Sequence, residues 1–87
     1  MTIYDLGDVM GVDLVARRFA GQGTRWSASF EQTEIQEGCF LVGTYGNGDT
    51  PAEAIADYAE RIRGKVLVHR HWRDGRREYS VPKTLTV

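Results

Sequence analysis

His69 and His71 alternate along the chain, a spacing that puts both imidazoles on one face of a strand. That is the beginning of a metal site, and Glu78 would face His71 across a hairpin as a third ligand. Structural zinc takes four ligands, mostly nitrogen and sulfur, and no fourth stands at a matching spacing. The expectation is therefore no metal and no cofactor, with a solvent-facing strand carrying one His–Glu pair. Cys39 is the sole cysteine. As a nucleophile it would need His69 or His71 as base. It opens the apolar run Cys39-Phe40-Leu41-Val42, where cysteine behaves as a small core hydrophobe. Gly46-Asn47-Gly48 ahead of a helix start has the outline of an anion cradle. Asp49 and Glu53 put negative charge where the anion would sit, and turn chemistry with a helix cap accounts for these residues. No nucleophile elbow, zinc-protease motif or P-loop is present, and Glu34 and Glu37 fall in a polar segment read as a turn. The chain reads as not an enzyme.

Charge is distributed in blocks. Residues 31–60 carry Glu31, Glu34, Glu37, Asp49, Glu53, Asp57 and Glu60 with no lysine or arginine. Residues 61–87 carry Arg61, Arg63, Lys65, Arg70, Arg73, Arg76, Arg77 and Lys83 against Asp74 and Glu78. A basic C-terminal hairpin follows, and Lys65, His69, His71, Arg73, Arg76 and Arg77 are its candidate partner-binding residues, suited to phosphates or to an acidic protein surface. Glu53, Asp57 and Glu60 on the preceding helix form a second candidate surface, able to occupy a basic channel. The plainer explanation is that the two blocks attract each other within one domain, and that charges on a sheet edge block aggregation.

The elements that must position these residues are legible in outline. The chain has 87 residues, 41% hydrophobic and 26% charged, the balance of one globular domain. A domain this small buries about 60–65% of its unfolded surface and has a thin core. One cysteine allows no internal disulfide, which favours a reducing compartment. The start, Met1 to Gly11, has no basic region ahead of an apolar run, and no apolar stretch approaches the roughly 18 residues of a membrane span. A cytoplasmic location and no membrane partner are expected.

Thr2 and Asp5 pair as the capping box of a short helix whose Ile3, Leu6, Val9 and Met10 share a side, with Gly11 as its stop. Val12 to Phe19 reads as a strand, and Gly21 to Thr24 as a turn. In Arg25 to Glu31, Trp26, Ala28 and Phe30 alternate with polar residues, the period of a half-buried strand. Gln32 to Gly38 reads as a turn or irregular edge, Cys39 to Thr44 as a short strand, and Gly46-Asn47-Gly48 as a break. Thr50 caps the main helix, with Pro51 at its first position and Glu53 completing a capping box. Ile55, Tyr58, Ala59 and Ile62 form its apolar face, and Gly64 ends it. Lys65 to Arg73 and Arg76 to Thr86 then form a hairpin around Asp74-Gly75. Its two-residue loop places Arg73 opposite Arg76 and His71 opposite Glu78. One face carries Val66, Val68, Trp72, Tyr79 and Val81, with Arg70 among them, and packs on the helix. The other carries Lys65, His69, His71, Arg73, Arg76, Glu78 and Ser80. Pro82 marks an edge strand. The expected class is α+β, a mostly antiparallel sheet packed on one central helix in the order α-β-β-β-α-β-β.

The block Tyr45-Gly46-Asn47-Gly48-Asp49-Thr50-Pro51-Ala52-Glu53-Ala54-Ile55-Ala56-Asp57-Tyr58-Ala59-Glu60-Arg61-Ile62, with Gly64-Lys65 and Leu67-Val68 after it, resembles a family of short uncharacterised proteins of phages and prophages. The resemblance implies a small accessory protein that binds a host protein in the bacterial cytoplasm, of the kind that inhibits a defence system (anti-CRISPR-like). Gly38-Cys39, Gly48-Asp49-Thr50 and Glu53-Ala54 are similar to the partial ribonuclease-H-like domain of HicB antitoxins. The helix–three strands–helix order resembles double-stranded-RNA-binding domains, although that family has basic residues where this chain has Pro51-Ala52-Glu53. These two imply the alternative, a nucleic-acid-binding module or HicB-like antitoxin that uses the basic hairpin. The partner expected is a host protein or a protein–nucleic acid complex.

Overall fold

The computed structural model describes residues 1–18, 25–71 and 75–87, with the backbone alone at Arg70 and His71. In chain order the elements are α1 (Ile3–Met10), β1 (Leu14–Arg18), β2 (Trp26–Phe30), β3 (Thr33–Glu37), β4 (Phe40–Val42), β5 (Gly46–Gly48), α2 (Pro51–Ile62), β6 (Val66–His71) and β7 (Gly75–Ser80). The class is α+β, as the sequence predicts. Five strands rather than three separate the helices, and the strands form two antiparallel sheets, β1-β2-β5 and β4-β3-β6-β7. The expected turn at Gly21 to Thr24 lies outside the described residues.

The two additional strands have different physical origins. β3 is the segment read as a turn. Its Thr33 and Ile35 are buried while Glu34 and Gln36 are half-buried, so it alternates as a strand should. One strongly apolar residue in five is too faint a signal to reveal that. β5 is the Gly46-Asn47-Gly48 segment read as a break. It pairs with β2 and lies directly under α2. A Cβ on Gly46 would overlap the Ala54 carbonyl oxygen and the Tyr58 nitrogen, and one on Gly48 would stand 2.6 Å from Glu53 Cβ. These glycines let backbone meet backbone, the second use of glycine in a strand.

Both helix starts follow local rules. Asp5 N–H donates to Thr2 Oγ1 at 3.1 Å and Thr2 N–H donates to Asp5 Oδ2 at 3.0 Å, the capping box expected. Gly11 ends α1 at φ 68. Ile3, Leu6 and Met10 are buried, but Val9 is 64% exposed; Gly7 takes the inward position instead, against the Phe30 ring. At α2, Glu53 N–H donates to Thr50 Oγ1 at 3.1 Å. The Glu53 carboxylate accepts from Asp49 N–H at 2.9 Å rather than from Thr50, one residue further out than a capping box. Ala54, Tyr58, Ala59 and Ile62 are buried and Ile55 is half-buried. Gly64 follows the helix at φ 71.

The core gathers these faces. Ile3, Leu6, Met10, Ala28, Phe30, Ile35, Tyr58, Ile62, Leu67, Val81 and Leu85 pack together, with Phe30 and Tyr58 edge to face at 5.7 Å. The C-terminal segment closes it: Thr86 bridges Thr2, Ile3 N–H donates to Thr86 O at 2.7 Å, and Arg63 Nε donates to Leu85 O at 2.7 Å. Burial pushes the Tyr58 hydroxyl up to about 12, with hydrogen bonding by the Phe30 backbone pulling against it. Its folded value lies above the unfolded one near 10. The stability it contributes is present below pH 10 and is lost as pH rises towards 12. Urea melts across that range should lose about 2–3 kcal/mol, and Tyr58→Phe should remove most of this alkaline slope.

The C-terminal hairpin differs in register from its expected pairing. Arg76 pairs with Arg70 rather than Arg73, His71 with Gly75 and Val68 with Glu78. The shift is three residues. Gly75, at φ 81, opens β7 instead of closing a two-residue loop. An odd shift exchanges faces. Leu67 is the β6 residue in the core, with Tyr79 packed beside it, while Val68 is buried between Glu34 and Glu78 on the opposite face. The helix packs on β1, β2 and β5 rather than on this hairpin. β7 is an edge strand, as Pro82 suggests.

Candidate functional site

The register places the described residues of the basic hairpin. His69, expected on the solvent face, is only 9% exposed. It pairs with Thr33 and shares a face with Leu67, so it is an interior residue. Arg76 and His69 were expected on one face, and the observed pairing puts them on opposite faces. Arg76 donates to Glu78 Oε1 at 2.9 Å and to Gln36 Oε1 at 3.3 Å. Arg77 is exposed and stands opposite His69, and Lys65 is exposed just before β6. Arg73 and Trp72 lie outside the described residues, as does the side chain of His71. Glu78 stands opposite Val68, and it is Gly75 rather than Glu78 that stands opposite His71. Of the four candidates whose side chains are described, Lys65 and Arg77 are exposed, His69 is interior, and Arg76 lies on the opposite sheet face from His69.

The acidic candidates have structural partners. Glu53 holds the Asp49 amide. Asp57 accepts from Asn47 N–H at 2.8 Å and from Arg61 Nε at 2.8 Å, tying α2 to β5. Glu60 alone of the three is an exposed carboxylate without such a bond among the described residues. Partial burial raises the Asp57 carboxyl, but the Asn47 N–H and Arg61 outweigh it and hold the group below the usual carboxylate range. A lowered folded value means stability present at neutral pH and lost as pH falls below about 4. Asp57→Ala should cost about 1–3 kcal/mol by leaving the Asn47 amide unsatisfied. The loss should appear as a lower urea midpoint at pH 7 and shrink when the same melts are run near pH 3.

A different surface emerges around β4. Glu37 pairs with Phe40 across Gly38 and Cys39, with Gly38 at φ 61, the glycine-first loop of a type II′ hairpin. Cys39 is therefore exposed at the loop and not in the core. The apolar run expected inside instead forms a sheet edge: Phe40 is 72% exposed and Val42 41%, and Tyr45, just beyond, is 57%. Among the described residues, β4 has β3 on one side and no strand on the other. The edges β1 and β7 carry Arg17 and Arg18, and Arg76, Arg77 and Glu78, charges that discourage strand addition. From Phe40 to Tyr45 there is no charged residue and no proline.

Beyond the end of β4 lies an open groove of about 720 Å³, lined by Val15, Ser27, Ser29, Glu31, Glu34 and Tyr45 among others. It runs along the face of β1 and β2 turned away from α2. Glu31 stands 3.7 Å from Arg17, both exposed, a contact worth little in water. Glu34 has no cationic partner among the described residues. The shape and mixed lining suit an extended chain; among the described residues no three His, Cys, Asp or Glu side chains converge as metal ligands do.

Sequence reasoning missed Phe40, Val42 and Tyr45 because an apolar run is most often core. The available signal was the apolar run's place within the block of seven carboxylates. Searches of family models, curated proteins and solved structures return no match to the chain.

Proposed function

We propose that this chain is a non-enzymatic protein-binding module, a phage-type accessory protein that docks on a host protein, with inhibition of a bacterial defence system as its role. The observation that carries the protein-binding reading is the uncharged β4 edge, with Phe40 and Val42 exposed where a small domain gains nothing by exposing them. Exposed aromatic residues on a patch of this kind are what protein interfaces bury at their centres. The accessory role and the defence target rest on the family resemblance of the Tyr45 to Ile62 block. The rival nucleic-acid reading needs a gathered basic face, and His69 is interior while Arg76 is engaged by Glu78 and Gln36.

The test is capture from bacterial lysate on the immobilised chain, with and without nuclease. A protein retained after nuclease, whose capture survives moderate salt, supports the reading. Loss of every captured protein after nuclease, together with direct binding of duplex DNA or RNA that weakens steeply with salt, would replace it with the nucleic-acid alternative. Among the described residues no helix is long and apolar enough to cross a membrane.

A further inference from the structure

We propose that β4 accepts an extended segment of the partner as an added strand, and that this segment carries a lysine or arginine that enters the groove beside Tyr45. The proposal rests on the protein-binding reading above and specifies the chemistry of what is bound. A strand with one hydrogen-bonded neighbour leaves half of its backbone N–H and C=O groups facing outward, and main-chain pairing along such an edge is a recurrent mode of peptide recognition. β4 meets that description on its free side.

The occupant's charge follows from the surroundings. Ile35 pairs with Val42, so the next residues along the ladder bring Glu34 towards Gly43, at the mouth of the groove. A segment running alongside β4 past Val42 therefore meets Glu34 and Glu31, with Tyr45 as an aromatic wall and Ser27 and Ser29 as hydroxyl donors and acceptors. Arg17, which also lines the groove, offsets Glu31 in part and leaves Glu34 as the carboxylate without a cation beside it among the described residues. Residues 31–60 carry seven carboxylates and no lysine or arginine. An acidic strand would be repelled at this edge, and a basic one attracted, which sets both partner choice and association rate. The alternating side chains of the segment on the Phe40 and Val42 face would be apolar, those at the groove end basic.

The same field argues against a second copy of this chain as the occupant, since two β4 edges would bring two sets of Glu31, Glu34 and Glu37 together.

The experiment is a random linear-peptide display selection on the full chain, with Phe40→Glu and Glu34→Arg chains as comparisons. Recovered peptides should alternate β-branched or aromatic residues and carry a lysine or arginine. Their affinity should fall at least about tenfold with Glu34→Arg, and hydrogen exchange should slow at the amides of Phe40 to Gly43 in the complex. Peptides without a basic residue, or binding without slowed exchange at β4, overturn the strand-addition proposal; if Phe40→Glu still abolishes their binding, the protein-binding reading stands. Peptides that bind the Phe40→Glu chain equally well overturn both. Concentration-dependent self-association of the chain that Phe40→Glu removes overturns the proposal in favour of a second copy.

Discussion

Replacing Gly46 with alanine is expected to destabilise the domain by about 3 kcal/mol or more, and replacing it with valine to unfold it. The added methyl would stand where the Ala54 carbonyl oxygen and the Tyr58 amide already are. Those are atoms of a helix backbone, which cannot swing aside as a side chain does. The helix must lift from β5, and with it go the burial of Tyr58 against Phe30 and the Asn47–Asp57 bond. Overpacking a core ordinarily costs about 1–3 kcal/mol and more when backbone must move. Small domains are stable by only about 5 kcal/mol at the low end of the common range, so the valine should exceed what is there. Gly43→Ala is the matched control. Its Cβ would come no nearer than 3.9 Å to Tyr45 Cε2, in ordinary contact. It should shift the urea midpoint little, within about 0.5 kcal/mol. Equal losses at the two glycines would mean that the cost is general to replacing glycine between Gly43 and Gly46 and not a consequence of the helix contact.

The second large effect falls on binding. Phe40→Glu should weaken partner capture about 30-fold or more, the loss typical of an aromatic residue at an interface centre replaced by a charge that must be desolvated. Because Phe40 is largely exposed in the free chain, the same substitution should leave stability within about 0.5 kcal/mol. That separation between binding and folding is what distinguishes an interface residue from a core residue. Val42→Glu should behave alike with a smaller effect, since Val42 is partly covered. The measurement is a titration of the captured partner with each variant, set beside a thermal melt of the variant alone.

The parts of this structure written in the sequence are those decided within a few residues. Thr2 with Asp5, Thr50 with Pro51, and the alternation of Trp26, Ala28 and Phe30 are local, and the structure forms each of them. What the sequence hid depends on partners far along the chain. Gly46 and Gly48 read as a break because nothing nearby shows that a helix will lie on them. Thr33 to Glu37 reads as a turn because Ile35 is its only strongly apolar residue, although the strand becomes internal once β6 pairs with it. The hairpin error has one cause. Asp74-Gly75 reads as a two-residue loop, whereas Gly75 begins β7 with a positive φ. The resulting three-residue slip moved His69 from surface to interior and Val68 from the helix-facing side to the other. The candidate site was legible only as composition: a charge-free run inside an acidic block. Whether that run becomes core or edge depends on how many strands pair beside it, which no local pattern of Phe40, Leu41 and Val42 encodes.

On the proposed reading the β4 edge, and not the basic hairpin, meets the partner. The direct measurement is partner capture by three forms of the full chain in parallel: unaltered, Phe40→Glu with Val42→Glu, and Arg76→Glu with Arg77→Glu. Capture by the unaltered chain and the arginine variant is expected, within about threefold of each other as for changes at exposed charges outside an interface, and none by the β4 variant. Capture that survives in the β4 variant and disappears in the arginine variant, with both variants folded by melting, would contradict that reading and return the function to the hairpin.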